Sequence, residues 1–179
     1  MEFPVLETER LKLRQLRLDD ASDLYDYFSK DEVTEYYDLA TFTERKQAED
    51  LIQMWIDSFS SLRSIRWGVT LKSEDRVIGT CGFHKWSQKN RRAEIGYELS
   101  PAYWRQGYMS EVLDAVIRCG FHELGLNRIE AQISQDNIGS RKVLEKAGFQ
   151  EEGVLQDYFY LKDRFVDAAI FAVLKRDIC

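Results

Sequence analysis

Polar and apolar residues alternate over residues 10–16, RLKLRQL, and this period of two predicts a first β-strand. In residues 19–30 the apolar positions instead recur three and four residues apart, which predicts a helix. A second helix is expected to begin after Thr43 as its capping residue, with its apolar face in residues 51–59. The chain therefore opens with one strand followed by two helices.

In the middle of the chain, polar and apolar residues again alternate with the period of two that is typical of β-strands. The runs RWGVTLK, RVIGTCGFHKW and RAEIGYELS are separated by the turn-rich segments KSED and SQKNR, and they predict three antiparallel strands. The last of these runs contains the fourth strand in chain order, residues 94–100. From Met109 onward the apolar residues keep helical spacing for over three turns, so a long amphipathic helix follows this fourth strand.

The remaining segments complete an alternating order. RIEAQIS predicts a strand, NIGSRKVLEKAGF predicts a short helix ended by Gly148, and two further strands flank KDR. A mixed sheet of about seven strands, with four helices on its two faces, accommodates this order in a single domain over residues 1–179. We find no repeat, low-complexity run or linker.

Composition and charge narrow the class of protein. Hydrophobic residues make up 44% and charged residues 31% of the chain, as in ordinary globular proteins. The formal net charge of -6 argues against a nucleic-acid partner. The three cysteines lack a CxxC pair and there are only two histidines, so we expect neither disulfides nor a metal site. Without a signal peptide or an apolar span, a cytoplasmic protein with no membrane partner is expected.

A glycine stands where the fourth strand gives way to the long helix, in WRQGYMSEV. The chain has no Walker loop, dinucleotide fingerprint, GxSxG elbow or HExxH pair. The first turn of a helix carries free N–H groups and the positive end of the helix dipole, and Gly107 would let an anion approach that backbone closely. On the local pattern alone, however, a loop glycine before a packing helix is the simpler interpretation.

A second segment, DNIGSRKVLEKAGF, follows the next strand and places Asn137 and Ser140 at the start of its helix. Asn137 fits an ordinary helix cap. The two segments at this separation are nevertheless far more specific together than either is alone.

Together these segments resemble the GCN5-related N-acetyltransferase (GNAT) family, in the branch that acetylates ribosomal-protein N-termini. WRQGYMSE is similar to the loop of that branch, and the likeness extends through LETERLKLRQL, RAEIGYELSPAYW and DYFYLKDRFVDAAIFAVL. The resemblance implies an α+β fold in α/β/α layers, with a mostly antiparallel sheet splayed between its fourth and fifth strands. Three positions depart from the wider family pattern, namely Trp104 and Met109 in the loop and Leu144 where many members carry a catalytic tyrosine.

The resemblance also implies acetyl-CoA as cosubstrate, with no metal. Main-chain groups would hold the pyrophosphate and the pantetheine arm, with help from the Asn137 side chain. The implied cofactor-binding residues are Tyr97, Leu99, Arg105, Gln106, Gly107, Tyr108, Met109, Ser110 and Asn137.

For catalysis, Glu94 is the first candidate base, although a surface salt bridge would explain it equally well. Glu98 is a weaker candidate for the same role, and His84 is a candidate only for lining the acceptor side. Ser140 is the candidate acid, although capping its own helix would also account for it.

The implied activity is N-acetylation of a primary amine, most simply a protein N-terminal α-amino group. A small-molecule amine such as a polyamine or an antibiotic is the first alternative acceptor, and an acyl-CoA sensor without turnover is the non-enzymatic alternative. The protein is expected to be a monomer or a homodimer.

Overall fold

The predicted alternation builds one continuous sheet in the computed structural model, which describes residues 1–179. Its strands are β1 Leu6–Glu7, β2 Leu11–Gln15, β3 Ile65–Leu71, β4 Val77–Ser87, β5 Arg92–Leu99, β6 Arg128–Ser134, β7 Gln150–Leu161 and β8 Arg164–Leu174. The spatial order is β1-β2-β3-β4-β5-β6-β8-β7, and only the β5–β6 contact is parallel. This mixed, mostly antiparallel sheet confirms the predicted α+β fold.

Helices cover both faces of the sheet. They are α1 Ala21–Phe28, α2 Asp31–Thr34, α3 Arg45–Ser60, α4 Tyr108–His122, α5 Ile138–Lys146 and α6 Lys175–Ile178. The count of eight strands and six helices exceeds the expected seven and four, because β1, α2 and α6 are each only two to four residues long. Elements of that length contain too few residues to show a period. The predicted fourth strand is therefore β5.

The expected start of the second long helix is wrong by one residue. Glu44, not Thr43, is the N-cap of α3. The side-chain oxygen of Gln47 accepts hydrogen bonds from the backbone N–H groups of both Thr43 and Glu44, at 2.7 and 3.1 Å. This reciprocal capping box fixes the first turn and leaves Thr43 outside it.

The two faces of the sheet differ in chemistry. Odd-numbered side chains of β3, of β5 and of residues 79–84 in β4, such as Trp67, Phe83 and Ile95, join a large apolar core with the buried side of α4. Even-numbered side chains of the same strands face α1 and the segment after it, where Glu98 accepts a hydrogen bond from Tyr27 at 2.9 Å. Because strand side chains alternate, residues near the functional site divide between these two faces by parity.

One carboxylate joins the N-terminal segment to the start of α4. Glu111 accepts hydrogen bonds from the Thr8 hydroxyl and from the backbone N–H and Nε of Arg10, the latter two at 2.8 Å each. The Arg10 guanidinium also lies 4.1 Å above the Tyr108 ring. Burial alone would raise the pKa of Glu111, but these hydrogen bonds outweigh burial and lower it below its usual value. The carboxylate is therefore stabilised in its charged form.

Removing that charge should weaken the fold in a pH-dependent way. We expect Glu111→Gln to lower the free energy of unfolding by about 1–3 kcal/mol at pH 7, the usual size for hydrogen bonds to a charged group. Since the folded pKa is below the unfolded one, the contribution is complete above the unfolded pKa, about 4.3, and is lost as pH falls through the folded pKa. Urea unfolding at a series of pH values measures this difference.

The matched control is Asp114→Asn, which removes an exposed carboxylate from the same helix, paired with Arg118 at 3.3 Å. Exposed pairs of this kind contribute little, so its unfolding curve should stay close to that of the parent protein. Equal losses in the two variants, or a Glu111 effect that does not change with pH, would contradict this account.

Candidate acetyl-donor cleft

The central feature of the site is a gap between two neighbouring strands. Backbone pairing of β5 with β6 covers only three residue pairs, from Arg92↔Arg128 to Glu94↔Glu130, although both strands continue beyond them. On its other side β6 stays paired with β8 as far as Ser134. The sheet therefore opens after Glu94, which confirms the predicted splay.

Alternate residues of β5 direct their main-chain N–H groups to β4, and the residues between them direct theirs into this gap. Ser100 donates its N–H to the Ile78 carbonyl at 2.7 Å. Because alternate residues of an antiparallel ladder bond to the same neighbour, the N–H groups of Tyr97 and Leu99 point away from β4 and toward β6. They are available to an extended ligand lying in the gap.

The loop between β5 and α4 presents a second row of free N–H groups. The first helical hydrogen bond runs from Glu111 N–H to the Gly107 carbonyl at 3.2 Å, and no N–H of residues 105–110 has a partner within the protein. Gly107 is the N-cap with φ of 80°, and Arg105 also has a positive φ of 60°. Such a turn at a helix N-terminus favours an anion.

Side-chain contacts hold this loop from outside. Trp104 donates its indole N–H to the Leu99 carbonyl at 2.7 Å, and Gln106 donates its side-chain amide to the Ala102 carbonyl at 3.0 Å. Arg10 donates to the Gln106 carbonyl at 3.0 Å. The Trp104 departure from the wider family pattern thus has a structural role, because it ties the loop to the end of β5.

Across the gap, α5 approaches β5 through side chains. Asn137 is the N-cap of α5 and accepts a hydrogen bond from Ser140 N–H at 3.2 Å, so the capping interpretation is confirmed. The Ser140 hydroxyl oxygen lies 2.5 Å from the hydroxyl oxygen of Tyr97. Burial raises the pKa of Tyr97, so this phenol stays protonated. The family resemblance implied a main-chain role for Tyr97 but could not show this side-chain contact.

Glu94 is buried and paired with two cationic or potentially cationic groups. Its carboxylate oxygens lie 3.1 Å from His84 Nε2 and 2.9 Å from Lys85 Nζ. Consecutive strand residues normally point to opposite faces, but a register shift after His84 and a positive φ at Lys85 allow both to reach Glu94. Burial alone would raise the pKa of Glu94, but the His84 and Lys85 hydrogen bonds lower it. The carboxylate is therefore ionised and held in place.

Glu98 does not have the open geometry of a base. It accepts hydrogen bonds from Tyr27 at 2.9 Å, Tyr37 at 2.8 Å, Arg66 at 2.5 Å and the Thr80 hydroxyl. A carboxylate offers about four acceptor sites, so this set occupies it fully. The weaker of the two predicted bases is therefore wrong, and Glu98 instead holds α1 and Arg66 against the sheet.

Arg66 is the functional candidate that sequence reasoning missed. Its side chain crosses Gly82 and reaches Gly96, and these two glycines lie opposite each other in the sheet. Its Nη1 atom lies 3.0 Å from the point where a Gly96 Cβ would stand, and His84 Cε1 and Nδ1 lie 3.3 and 3.5 Å from that point. An arginine within an alternating strand gives no local signal of this position.

No group of three His, Cys, Asp or Glu side chains is arranged to hold a metal ion. None of the helices has the length and apolar character needed to cross a membrane.

Comparison with known proteins places this cleft in a family. A family model described as an acetyltransferase (GNAT) domain matches residues 10–150. The chain is 45% identical to an uncharacterized N-acetyltransferase, YoaA, of Bacillus subtilis, covering 97% of this chain and 98% of the relative. It is 33% identical over 99 residues to the ribosomal-protein-serine acetyltransferase of Escherichia coli, covering 55% of each chain.

The fold also matches a solved structure described as RimL, a ribosomal L7/L12 alpha-N-protein acetyltransferase in complex with coenzyme A. The TM-score is 0.88 at 20% identity, covering 96% of this chain and 98% of that one. With the sheet split after Glu94, the free N–H groups ahead of α4 and these matches, the chain belongs to the GNAT acetyltransferase family, whose acetyl donor is acetyl-CoA.

Proposed function

We propose that this acetyltransferase transfers the acetyl group of acetyl-CoA to the α-amino group of a protein N-terminus. The observation that supports the donor in this proposal is the gap between β5 and β6, which meets a row of free N–H groups at the start of α4. One opening fits an extended arm and the other fits a diphosphate. The acetyl group would then lie where the strands first separate, beside Glu94.

The donor would be held mainly by main-chain groups. The N–H groups of residues 105–110 bind the pyrophosphate, and those of Tyr97 and Leu99 pair with the pantetheine amides. Asn137 makes its capping contact through Oδ1, which leaves its side-chain N–H₂ to donate to the pantetheine arm. The donor site therefore depends on backbone geometry more than on side-chain identity.

The transfer step begins with a neutral amine, which attacks the thioester carbonyl carbon. A C–N bond forms, the tetrahedral intermediate collapses, and the C–S bond breaks. We assign Glu94 as the base that draws the proton from nitrogen, and its contact with His84 Nε2 gives the proton a route through the imidazole. Ser140 protonates the departing sulfur, and the Tyr97 hydroxyl can donate to the serine oxygen as it gives up its proton.

The acceptor assignment draws on relatives named for ribosomal-protein acetylation. The E. coli relative is named as a ribosomal-protein-serine acetyltransferase, and the RimL neighbour as a ribosomal L7/L12 alpha-N-protein acetyltransferase. The test is to incubate the protein and acetyl-CoA with N-terminal peptides, a polyamine and an aminoglycoside. Mass spectrometry should detect one added acetyl group on the peptide. Acetylation of only the small amines would refute the acceptor, and cofactor binding without turnover on any amine would support a sensor instead.

Gly107 provides a test of the pyrophosphate loop. We expect Gly107→Ala to weaken coenzyme A binding about 10-fold or more, because a Cβ at positive φ forces the turn to change and moves its N–H groups. Isothermal titration with coenzyme A measures the dissociation constant.

The matched control is Gly125→Ala, which has a φ of 68° beyond the other end of α4 and no atom within 4 Å of its would-be Cβ. Its free energy of unfolding should fall by about 1 kcal/mol, as in Gly107→Ala, but its affinity for coenzyme A should not change. Unchanged affinity in Gly107→Ala would remove the loop from the donor site.

The catalytic assignments are tested by Glu94→Gln and Ser140→Ala. Each should lower kcat about 100-fold or more, because general acid–base catalysis commonly contributes that much, while the dissociation constant of acetyl-CoA stays nearly constant. Steady-state thiol release gives kcat, and titration gives the dissociation constant.

Glu145→Gln on the exposed side of α5 is the control and should retain full activity. If both test variants keep the parent kcat, the assignments of base and acid are wrong even though the acetyltransferase activity stands.

A further inference from the structure

The side of the gap away from α4 contains two polar groups that converge on Gly96. Gly96 is two residues beyond the last β5–β6 pair, so it borders the point where the strands separate. Its even number places it on the face opposite α4. Because it has no side chain, polar groups from β3 and β4 come close to its Cα, next to the expected position of the thioester.

Arg66 forms one side of this volume and is rigidly held. Its side chain is 7% exposed, Nε donates to Thr80 at 2.8 Å, and Nη2 donates to Tyr37 at 2.6 Å and to Glu98 at 2.5 Å. The Trp55 ring lies 4.9 Å from the guanidinium carbon. Only Nη1, the group closest to Gly96, makes no hydrogen bond within the protein. A buried cation thus directs one unused donor at the site.

His84 forms the other side. Its Nε2 is 3.1 Å from Glu94, and its Nδ1 has no partner. A proton on Nε2 is stabilised by the Glu94 carboxylate, whereas a proton on Nδ1 would lie near the Arg66 guanidinium. The favoured neutral tautomer therefore presents the Nδ1 lone pair toward Gly96. A free hydrogen-bond acceptor, His84 Nδ1, therefore lies beside a free hydrogen-bond donor, Arg66 Nη1.

Both atoms are open to a ligand. Gln132 Oε1 is the only fully buried side-chain nitrogen or oxygen in the chain that lacks a hydrogen-bond partner. Since Arg66 Nη1 and His84 Nδ1 also lack partners but are not fully buried, solvent reaches them. An incoming group can replace that solvent without breaking a contact within the protein.

We propose that Arg66 and His84 recognise an acceptor whose amine stands directly beside a carbonyl oxygen. Arg66 Nη1 donates to that oxygen, and His84 Nδ1 accepts an N–H of the amine. This inference rests on the proposed function, which it deepens by naming the acceptor contacts. As the C–N bond forms, the amine proton moves to Nδ1, and Glu94 stabilises the resulting imidazolium. In this refinement His84 is the immediate base, and Glu94, assigned above as the base, acts on the amine through His84.

One hydrogen-bond donor beside one hydrogen-bond acceptor discriminates among the amines that could receive the acetyl group. The first residue of a peptide offers both an N–H and an adjacent C=O, so it satisfies both groups. A polyamine has no oxygen to accept from Arg66, and its ammonium groups are repelled by the guanidinium. A donor left unpaired in a partly buried site costs affinity, which gives selectivity against such amines.

The test removes the oxygen from the substrate. A peptide with N-terminal alanine is compared with the same peptide whose first amide is replaced by a trans alkene, which keeps the shape of the bond and lacks the oxygen. In the parent protein kcat/KM should fall about 10- to 100-fold for the alkene, the loss typical of one hydrogen bond to a charged donor.

The protein variant Arg66→Lys keeps the positive charge beside Glu98 but cannot present Nη1 to Gly96. We expect its kcat/KM values for the two peptides to lie within about threefold of each other, and its affinity for acetyl-CoA to be unchanged. Arg63→Lys, just ahead of the same strand and exposed, is the control and should keep the full discrimination.

Gly96→Ala gives a second variant in case Arg66→Lys does not fold. The added Cβ would stand 3.0 Å from Arg66 Nη1, so kcat/KM for the natural peptide should fall at least 10-fold while coenzyme A binding persists. Equal use of the two peptides by the parent protein, or discrimination that survives Arg66→Lys, would overturn the inference and leave the proposed function standing. Coenzyme A binding with no turnover on any peptide would overturn both.

Discussion

The organisation of this protein depends on the main-chain hydrogen bonds that β5 and β6 do not form with each other. Buried or partly buried backbone N–H groups are almost always paired, so a strand edge opened in the middle of a sheet needs another partner. The sheet can tolerate the gap because β6 is paired with β8 along its whole length and β5 is paired with β4 on both sides of one bulge. In the proposed binding mode, an extended cosubstrate arm would supply the missing pairing, and its binding would complete the sheet.

The buried Arg66–Glu98 pair keeps the other face of that gap rigid. Removing both charges from water is costly, and this cost is offset only where every donor and acceptor is satisfied. Here Tyr27, Tyr37 and Thr80 supply the additional hydrogen bonds. The same contacts hold α1 and the segment after α2 against β5. A side chain fixed this firmly can present one unused N–H group with little loss of conformational entropy on binding.

Periodicity predicted the long elements and their order along the chain, because those features are encoded in consecutive residues, and the family resemblance implied the position of the splay. They missed β1, α2 and α6, which are too short to have a period, and placed the start of α3 at Thr43 because the Glu44–Gln47 box was not recognised. For the site, the sequence predicted which backbone stretches border the gap. It could not predict the Tyr97–Ser140 contact, whose partners are 43 residues apart, nor the bulge that turns both His84 and Lys85 toward Glu94.

The two sides of the gap are formed by different kinds of groups, main-chain atoms on one side and side chains on the other. This difference explains why the acetyl-donor site can be predicted from the sequence more easily than the acetyl-acceptor site. The proposed donor side is built from N–H groups, a helix N-terminus and one glycine, so many side-chain combinations can produce it and a short motif identifies it. The proposed acceptor side depends on Arg66, His84 and Glu94, which come from three strands and meet only after the sheet has formed. A change of acceptor therefore requires few substitutions and need not disturb the donor loop. The acetyl acceptor can therefore be inferred only from the side-chain geometry around Gly96.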